Sequence, residues 1–396
     1  MTGFTQRILK GFEDLSGFLS DVAGGQPWHY NRLATADGES TLFADDGSMV
    51  SVLEVRGSME MIGADDFDQA CRSLSQMLSA RFASGGHVVQ VVAKRDPADA
   101  QSSARASIDY MRRSAHNLGL DLDGVIADWA ESVSAFAAGE HVWLVAWTRP
   151  AVMVPALRNA ARKEMARRVR ASNVPAGAQP IETRLMELYN DHLGFIEAIR
   201  TTMSMAGGSA QGGILVDVMD CKSALRMIRS EIDRDMTSEE WEPLIPGSAR
   251  PPMRLADPWE NERNAAPMSY PPIGEQLFPR DILELSQTAV LCGGRIHTPI
   301  SMRMGPREPK SFQVLYNALV KTELPWRISF LIGSANQAVI GMRSTMASLL
   351  RYNGDNKLLL AAVEEMKAYQ RDGGVPVFMS VVADTWVTGY KSLAEG

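Results

Sequence analysis

Two glycine-bearing stretches come first, because their topology is that of a phosphate cradle. FLIGSANQAVIGMRST, Phe330 to Thr345, runs from an apolar strand through a glycine into a helix start. A Walker A loop needs GxxxxGK[ST], with the lysine set against terminal phosphate charge and the hydroxyl on Mg²⁺. Counting from Gly333, the sixth and seventh positions are Ala338 and Val339, and no Gly-Lys dipeptide occurs in the chain. Ser334 and Gln337 instead have the spacing of a capping box, so the stretch reads as a strand-to-helix junction. MAGGSAQGGILVDV, Met205 to Val218, spaces Gly207 and Gly212 as a P-loop would, but Gly213 and Ile214 stand where lysine and hydroxyl belong. A serine elbow would need glycine at Gln211. This stretch reads as a helix-to-strand connection.

Other chemistry-bearing residues are sparse. The six histidines, 29, 87, 116, 141, 192 and 297, show no HxxxH or HExxH spacing, so zinc is not expected, and they read as surface or satisfied core residues. Cys71, Cys221 and Cys292 form no CxxC pair, which fits a reducing compartment better than a disulfide framework. The acid pairs Asp45-Asp46, Asp65-Asp66 and Glu364-Glu365 belong to turns and solvated helix surfaces. No catalytic, cofactor-binding or metal residues are assigned. The strongest charge cluster is ALRNAARKEMARRVRAS, where Arg158, Arg162, Lys163, Arg167, Arg168 and Arg170 ride on one helix. Such a face is either solvated or suited to anionic lipid headgroups or an acidic partner. No aromatic platform is interleaved with it, so direct nucleic-acid binding is not expected.

The elements that position these residues follow from periodicity. The chain has 396 residues, 45% hydrophobic and 22% charged, with net charge −7. That is ordinary for a globular protein and gives no general basic field for nucleic acid. No apolar run approaches the roughly 20 residues of a spanning helix. The N-terminus reads as an amphipathic helix with Phe4, Ile8, Phe12, Leu15 and Leu19 on one side, not a signal peptide. Residues 41–57 form a hairpin around Asp45-Asp46-Gly47. A helix then carries Phe67, Cys71, Leu74 and Phe82, and HVVQVVA is a strand. Asp96-Pro97 starts helices over about 98–117 and 123–138, and HVWLVAWT is a further strand.

From Leu285 the order repeats: a hairpin at Gly293-Gly294, a helix from Ser311, the strand WRISFLIG, helices near 335–350 and 356–371, and the strand VPVFMSVVA. The expected fold class is α+β, with two similar β-β-α-β-α-α-β halves, each a sheet covered by helices. They are residues 1–150 and 285–396. Between them, residues 151–284 form a helical insert whose helix carries Leu185, Leu188, Tyr189, His192, Ile196 and Ile199 as one stripe. A loop follows that holds nine of the twenty prolines. Its Trp241, Trp259 and Tyr270 are candidates for a partner surface.

The residues LFADDGSMVSVLEVRGSMEMIG, 42 to 63, with HVVQVVAKRDP, FPRDILELSQTAVLCGGRIHTPISMRMGPREPKSF and WRISFLIG, resemble the amino-terminal region of type IV secretion and conjugation ATPases. The likeness is greatest to the IcmB (DotO)/TraU group of Dot/Icm-like type IVB systems. The resemblance implies a non-catalytic module, cytoplasmic and peripheral at the bacterial inner membrane. It would dock a motor to the components of the inner-membrane complex and support homo-oligomerisation. ATP and Mg²⁺ are implied only for the RecA-like motor that follows this region in the family. Its Walker motifs are not in this sequence, so the expectation is a fragment of a longer ATPase or a separate non-catalytic chain. The alternative is a stand-alone scaffold or regulatory protein that binds partners without nucleotide.

Overall fold

The structure is a computed structural model that describes residues 30–58, 63–83, 85–134, 136–171, 178–180, 185–205, 213–233, 241–248, 253–254, 268–278, 282–301, 312–322, 324–334, 364–365, 368–369, 371–372 and 374–388. The expected N-terminal helix, the Gly207–Gly212 connection, Gln337 and the helix at 335–350 lie outside the described residues, as does most of 356–371.

The chain is a mixed α+β fold built on one large antiparallel sheet. Its strands are β1 (Leu33–Ala36), β2 (Leu42–Ala44), β3 (Met49–Ser58), β4 (His87–Asp96), β5 (Gly139–Thr148), β6 (Ile214–Val218), β9 (Leu283–Ser286), β10 (Ala289–Cys292), β11 (Arg295–Ser301), β12 (Trp326–Ser334) and β13 (Val377–Thr388). Two short strands, β7 (Met253–Arg254) and β8 (Met268–Ser269), pair apart from it. The spatial order is β1-β2-β3-β5-β4-β12-β13-β11-β10-β9, with β6 added along β3. The expectation of two separate sheets is therefore corrected: β4 and β12 pair along their length, from Val88↔Gly333 to Arg95↔Trp326, and join everything into one sheet.

The hairpin at 42–58 forms as its residues dictate. Asp46 Oδ1 accepts from Ser48 N at 2.9 Å, and Gly47 takes φ +84°, a conformation that glycine adopts without a Cβ penalty. β3 is buried on both faces because helices cover both. On one side lie α1 (Ala64–Ala83) and α6 (Met186–Ser204), where Leu53 and Val89 meet Phe82, Phe195, Ile196 and Ile199. On the other lies α7 (Cys221–Ile232), where Val50, Val52 and Trp147 meet Leu225 and Ile228. Full burial of one such side chain is worth about 1.5–3 kcal/mol. The insert is thus part of the core: it supplies α6, α7 and β6.

Asp96 caps as expected, accepting from Ala98 N at 2.9 Å with Pro97 in the first turn. The helix expected over 98–117 divides into α2 (Ala100–Ser107) and α3 (Asp109–Asn117), broken at Ile108, where no side chain caps the second piece. α4 (Asp123–Ser134) packs against α2. The other helices with described bounds are α5 (Pro155–Ala171), α8 (Ile273–Leu277) and α9 (Phe312–Val320).

The glycine that suggested a phosphate loop has a packing role. Gly333 lies within β12, and a Cβ there would come 2.7 Å from Val88 Cγ2 and 2.8 Å from Phe378 Cε1. Ser334 Oγ accepts from Gly86 N at 3.0 Å, tying β12 to the loop before β4. Gly333→Val is expected to destabilise the protein by about 1–3 kcal/mol through overpacking of the three central strands, read as a lowered midpoint in urea unfolding.

Candidate functional site

Among the described residues, those singled out from sequence are not brought into one site. On α5, Lys163 and Arg167 are exposed and Arg158 is half-buried, while Arg162, Arg168 and Arg170 lie on the same helix with side chains outside the described set. Arg167 forks onto Glu164 at 2.9 and 2.8 Å, which raises the guanidinium's pKa. Trp259 lies outside the described residues. Trp241 serves the fold: the Arg229 guanidinium lies 4.3 Å over its ring, and its carbonyl accepts from Arg226 Nε at 2.7 Å. Tyr270 is half-buried, and its carbonyl accepts from Gln179 N at 2.7 Å.

Two side-chain amides, one buried and one half-buried, explain how a proline-rich segment closes onto the core. Prolines donate no backbone hydrogen bond, so their neighbourhood needs donors from elsewhere. Gln179 Nε2 donates to Leu244 O at 2.6 Å and Pro271 O at 2.8 Å, while its Oε1 accepts from Thr35 Oγ1 at 3.1 Å. Gln276 Nε2 donates to the same two carbonyls, and its Oε1 accepts from Leu244 N at 2.7 Å. Ile245 and Ile273 are buried beside them.

The largest cluster of charge sits at the junction of β4 and β12, and no sequence motif marked it. Lys94 of β4 and Arg327 of β12 stand directly opposite each other, with Asp384 of β13 next in the row. Two like charges face to face in a sheet repel. Glu231, from the end of α7, resolves the conflict: its carboxylate lies 2.8 Å from Lys94 Nζ and 3.5 Å from Arg327. Asp99 adds a contact to Lys94 at 3.1 Å, and Asp384 lies 3.3 Å from Arg327 and 2.8 Å from His297 Nδ1. Arg295 lies 3.9 Å from Asp96 and flanks Trp386. Three permanent cations (Lys94, Arg295, Arg327) thus face four carboxylates (Asp96, Asp99, Glu231, Asp384), with His297 among them. The cluster encloses a cavity of about 10 Å³, roughly one water. The only local signal was charge inside otherwise apolar strands, as in VVAKRD and VVADTW.

A second buried network links the sheet to α6. Ser51 Oγ donates to Ser40 O at 2.7 Å and lies 3.1 Å from His192 Nε2. His192 Nδ1 lies 2.8 Å from Thr148 Oγ1, and Thr148 Oγ1 lies 3.2 Å from His87 Nδ1. His87 Nε2 approaches Asp191 Oδ2 at 3.0 Å without the alignment of a hydrogen bond. Serine beside histidine is a nucleophile-and-base pair by type. Here both residues are 0% exposed and the serine proton is committed to a backbone carbonyl, so no substrate reaches them. His192 was legible as a core histidine from its place on the apolar stripe. Its partners were not.

Elsewhere, a notch of about 660 Å³ opens at the turn between α3 and α4, but Arg112 and Arg113 on its wall are both committed to Asp109. Among the described residues no group of three or more His, Cys, Asp or Glu is placed to hold a metal ion, and no helix is long and apolar enough to cross a membrane. Burial and the neighbouring Asp37 push the Cys221 thiol well above its ordinary range, so it is unreactive. No protein-family model matches the chain, and no curated protein matches it.

Removing Glu231 leaves Lys94 and Arg327 opposed without an anion between them. Glu231→Gln is expected to cost about 1–3 kcal/mol, since Lys94 keeps Asp99 and Arg327 keeps Asp384 while each loses one charged partner. Lys94→Met in the same background should recover part of that loss, read as a non-additive double-mutant cycle in urea unfolding.

Proposed function

We propose that the chain is the non-catalytic amino-terminal module of a type IV secretion or conjugative transfer ATPase. In this reading it docks the motor to the inner-membrane complex at the cytoplasmic face of the bacterial inner membrane, and supports oligomerisation. The observation that carries the reading is the use made of α5. None of its described side chains is buried: Lys163 and Arg167 are exposed, as are Leu157 in its first turn and Val154 just before it. Exposed basic side chains on a helix suit an acidic surface, whether protein or anionic lipid. Support also comes from the hairpin at 42–58, the stretch on which the family resemblance rests, and from the commitment of the buried polar clusters to the fold.

The strand order supports reading the fold as a duplicated β-β-α-β-α-α-β unit. From the β4–β12 junction outward, one side reads β4-β5-β3-β2 and the other β12-β13-β11-β10. Asp96 and Ser334 end the two junction strands, in equivalent positions. A stand-alone scaffold with the same surfaces is the second reading. The length of the native reading frame separates the two: continuation past Gly396 into GxxxxGK[ST] favours the ATPase module.

The combined reversal Arg162→Glu, Arg167→Glu, Arg168→Glu tests the role of α5. At about 1 kcal/mol per basic side chain near an anionic surface, it should weaken co-sedimentation with phosphatidylserine-containing vesicles by about a hundredfold or more. It should also reduce recovery of the chain with the secretion complex in a pull-down. Unchanged association in both assays rules out α5 as the docking surface.

A further inference from the structure

The histidine network connecting β3, β5, β4 and α6 has a proton deficit. Its contacts run from Ser40 O through Ser51, His192, Thr148 and His87 to Asp191. Each contact between two lone-pair-bearing atoms needs one proton between them. There are five contacts. With both imidazoles neutral and Asp191 ionised, the protons number four: one each on Ser51, His192, Thr148 and His87. The direction of the chain is set at its inner end. The short bond from Ser51 to Ser40 O, 2.7 Å, uses the serine proton, so His192 must donate through Nε2–H. His192 Nδ1 then accepts the Thr148 proton across the next short contact, 2.8 Å. The shortfall falls on His87, which has one proton for two neighbours. Its imidazole lies 3.2 Å from Thr148 Oγ1 and 3.0 Å from Asp191 Oδ2, the latter without hydrogen-bond alignment.

We propose that this chain is an acid-sensitive latch, with a vacant proton position at His87, that pins α6 to the sheet while both imidazoles are neutral and releases it in acid. The groups facing His87 come from every element packed on it. Arg81 of α1 bonds Gly194 O and Asp191, Asp191 and His192 come from α6, Thr148 from β5, and the Phe195 ring lies 4.4 Å from the imidazole. His192 is faced by Ser51 of β3 and sits in the field of Asp37. A proton arriving at His87 completes the five contacts but places a cation in the core beside Arg81. Burial therefore holds His87 down at about 4, against the upward pull of Asp191, and holds His192 down at about 3 with His87 adding to the effect. Both lie below the ordinary imidazole value of 6.5. The unfolded chain accordingly binds protons that the folded chain refuses. The latch's contribution is whole above about pH 6.5 and declines as pH falls towards 4.

Imidazole ¹⁵N NMR on the full chain with labelled histidine tests the chain's direction. His192 should appear as the Nε2–H tautomer and stay neutral from pH 8 to pH 5. Ser51→Ala removes the inner contacts and leaves three contacts for three protons, so His192 should switch to the Nδ1–H tautomer. In urea unfolding of the wild type, the unfolding constant should rise as pH falls from 7 to 5, approaching about tenfold per pH unit for each histidine. His87→Gln combined with His192→Gln should flatten that dependence. A wild-type His192 that is Nδ1–H, or that titrates near 6.5, overturns the proposal without need of any variant. So does a tautomer indifferent to Ser51→Ala, or a double variant as acid-sensitive as the wild type.

Discussion

The antiparallel pairing of β4 with β12 is the contact on which the rest of the structure depends. These strands are more than 230 residues apart in sequence, and their ladder is the one junction between the strand groups β1–β6 and β9–β13 within the main sheet. Its register decides which side chains face α7 and which face α6. Slipping it by one residue would exchange the two faces, because strand side chains alternate with period two. Apolar residues alone discriminate weakly here: β4 reads VVQVVA and β12 reads ISFLI, with apolar residues on both sides. The polar residues supply the discrimination. In the native register Lys94, Arg327 and Asp384 form a row under Glu231, and Gln90 Nε2 reaches Ser329 Oγ at 2.8 Å. In a slipped register Lys94 would face the apolar layer under α6, where no described anion is placed to meet it.

This accounts for why charge is buried at the junction at all. An ion pair removed from water costs about as much as it returns, so the cluster is poor evidence of added stability. Its effect is specificity. The same holds on the opposite face, where the two buried histidines, Ser51 and Thr148 fix α6 against β3, β4 and β5. An apolar contact between helix and sheet tolerates sliding, whereas a directional chain of hydrogen bonds does not.

Local features of the fold were legible in the sequence wherever the determinant was local. The Asp45-Asp46-Gly47 turn, the Asp96-Pro97 start, the apolar stripe on α6 and the apolar run of β5 each depend on neighbours a few residues apart. What was not legible involves pairing at distance. ILVDV reads as a short strand or extended run, but nothing in it announces that the strand joins β3. Nothing near Gln179 announces that its amide closes a proline-rich segment more than 60 residues on. The residue types after Gly333 do not match Walker A, which left its role open to other constraints. Its actual constraint, the approach of Val88 and Phe378, became visible only once three strands were in place.

The distribution of polar residues also bears on function. Buried polar groups are costly unless satisfied, and in this fold they are spent on register, on helix attachment and on closing the proline-rich segment. A catalytic site needs such groups held with an unfilled valence directed at solvent. Ser51, His192, Lys94 and Glu231 have their valences filled by one another or by the backbone. Among the described side chains that face outward are Lys163 and Arg167 of α5 and the apolar Val154 and Leu157. In the described part of the fold the chemistry of the buried polar groups is turned inward, where it sets the register of one sheet and the seating of α6.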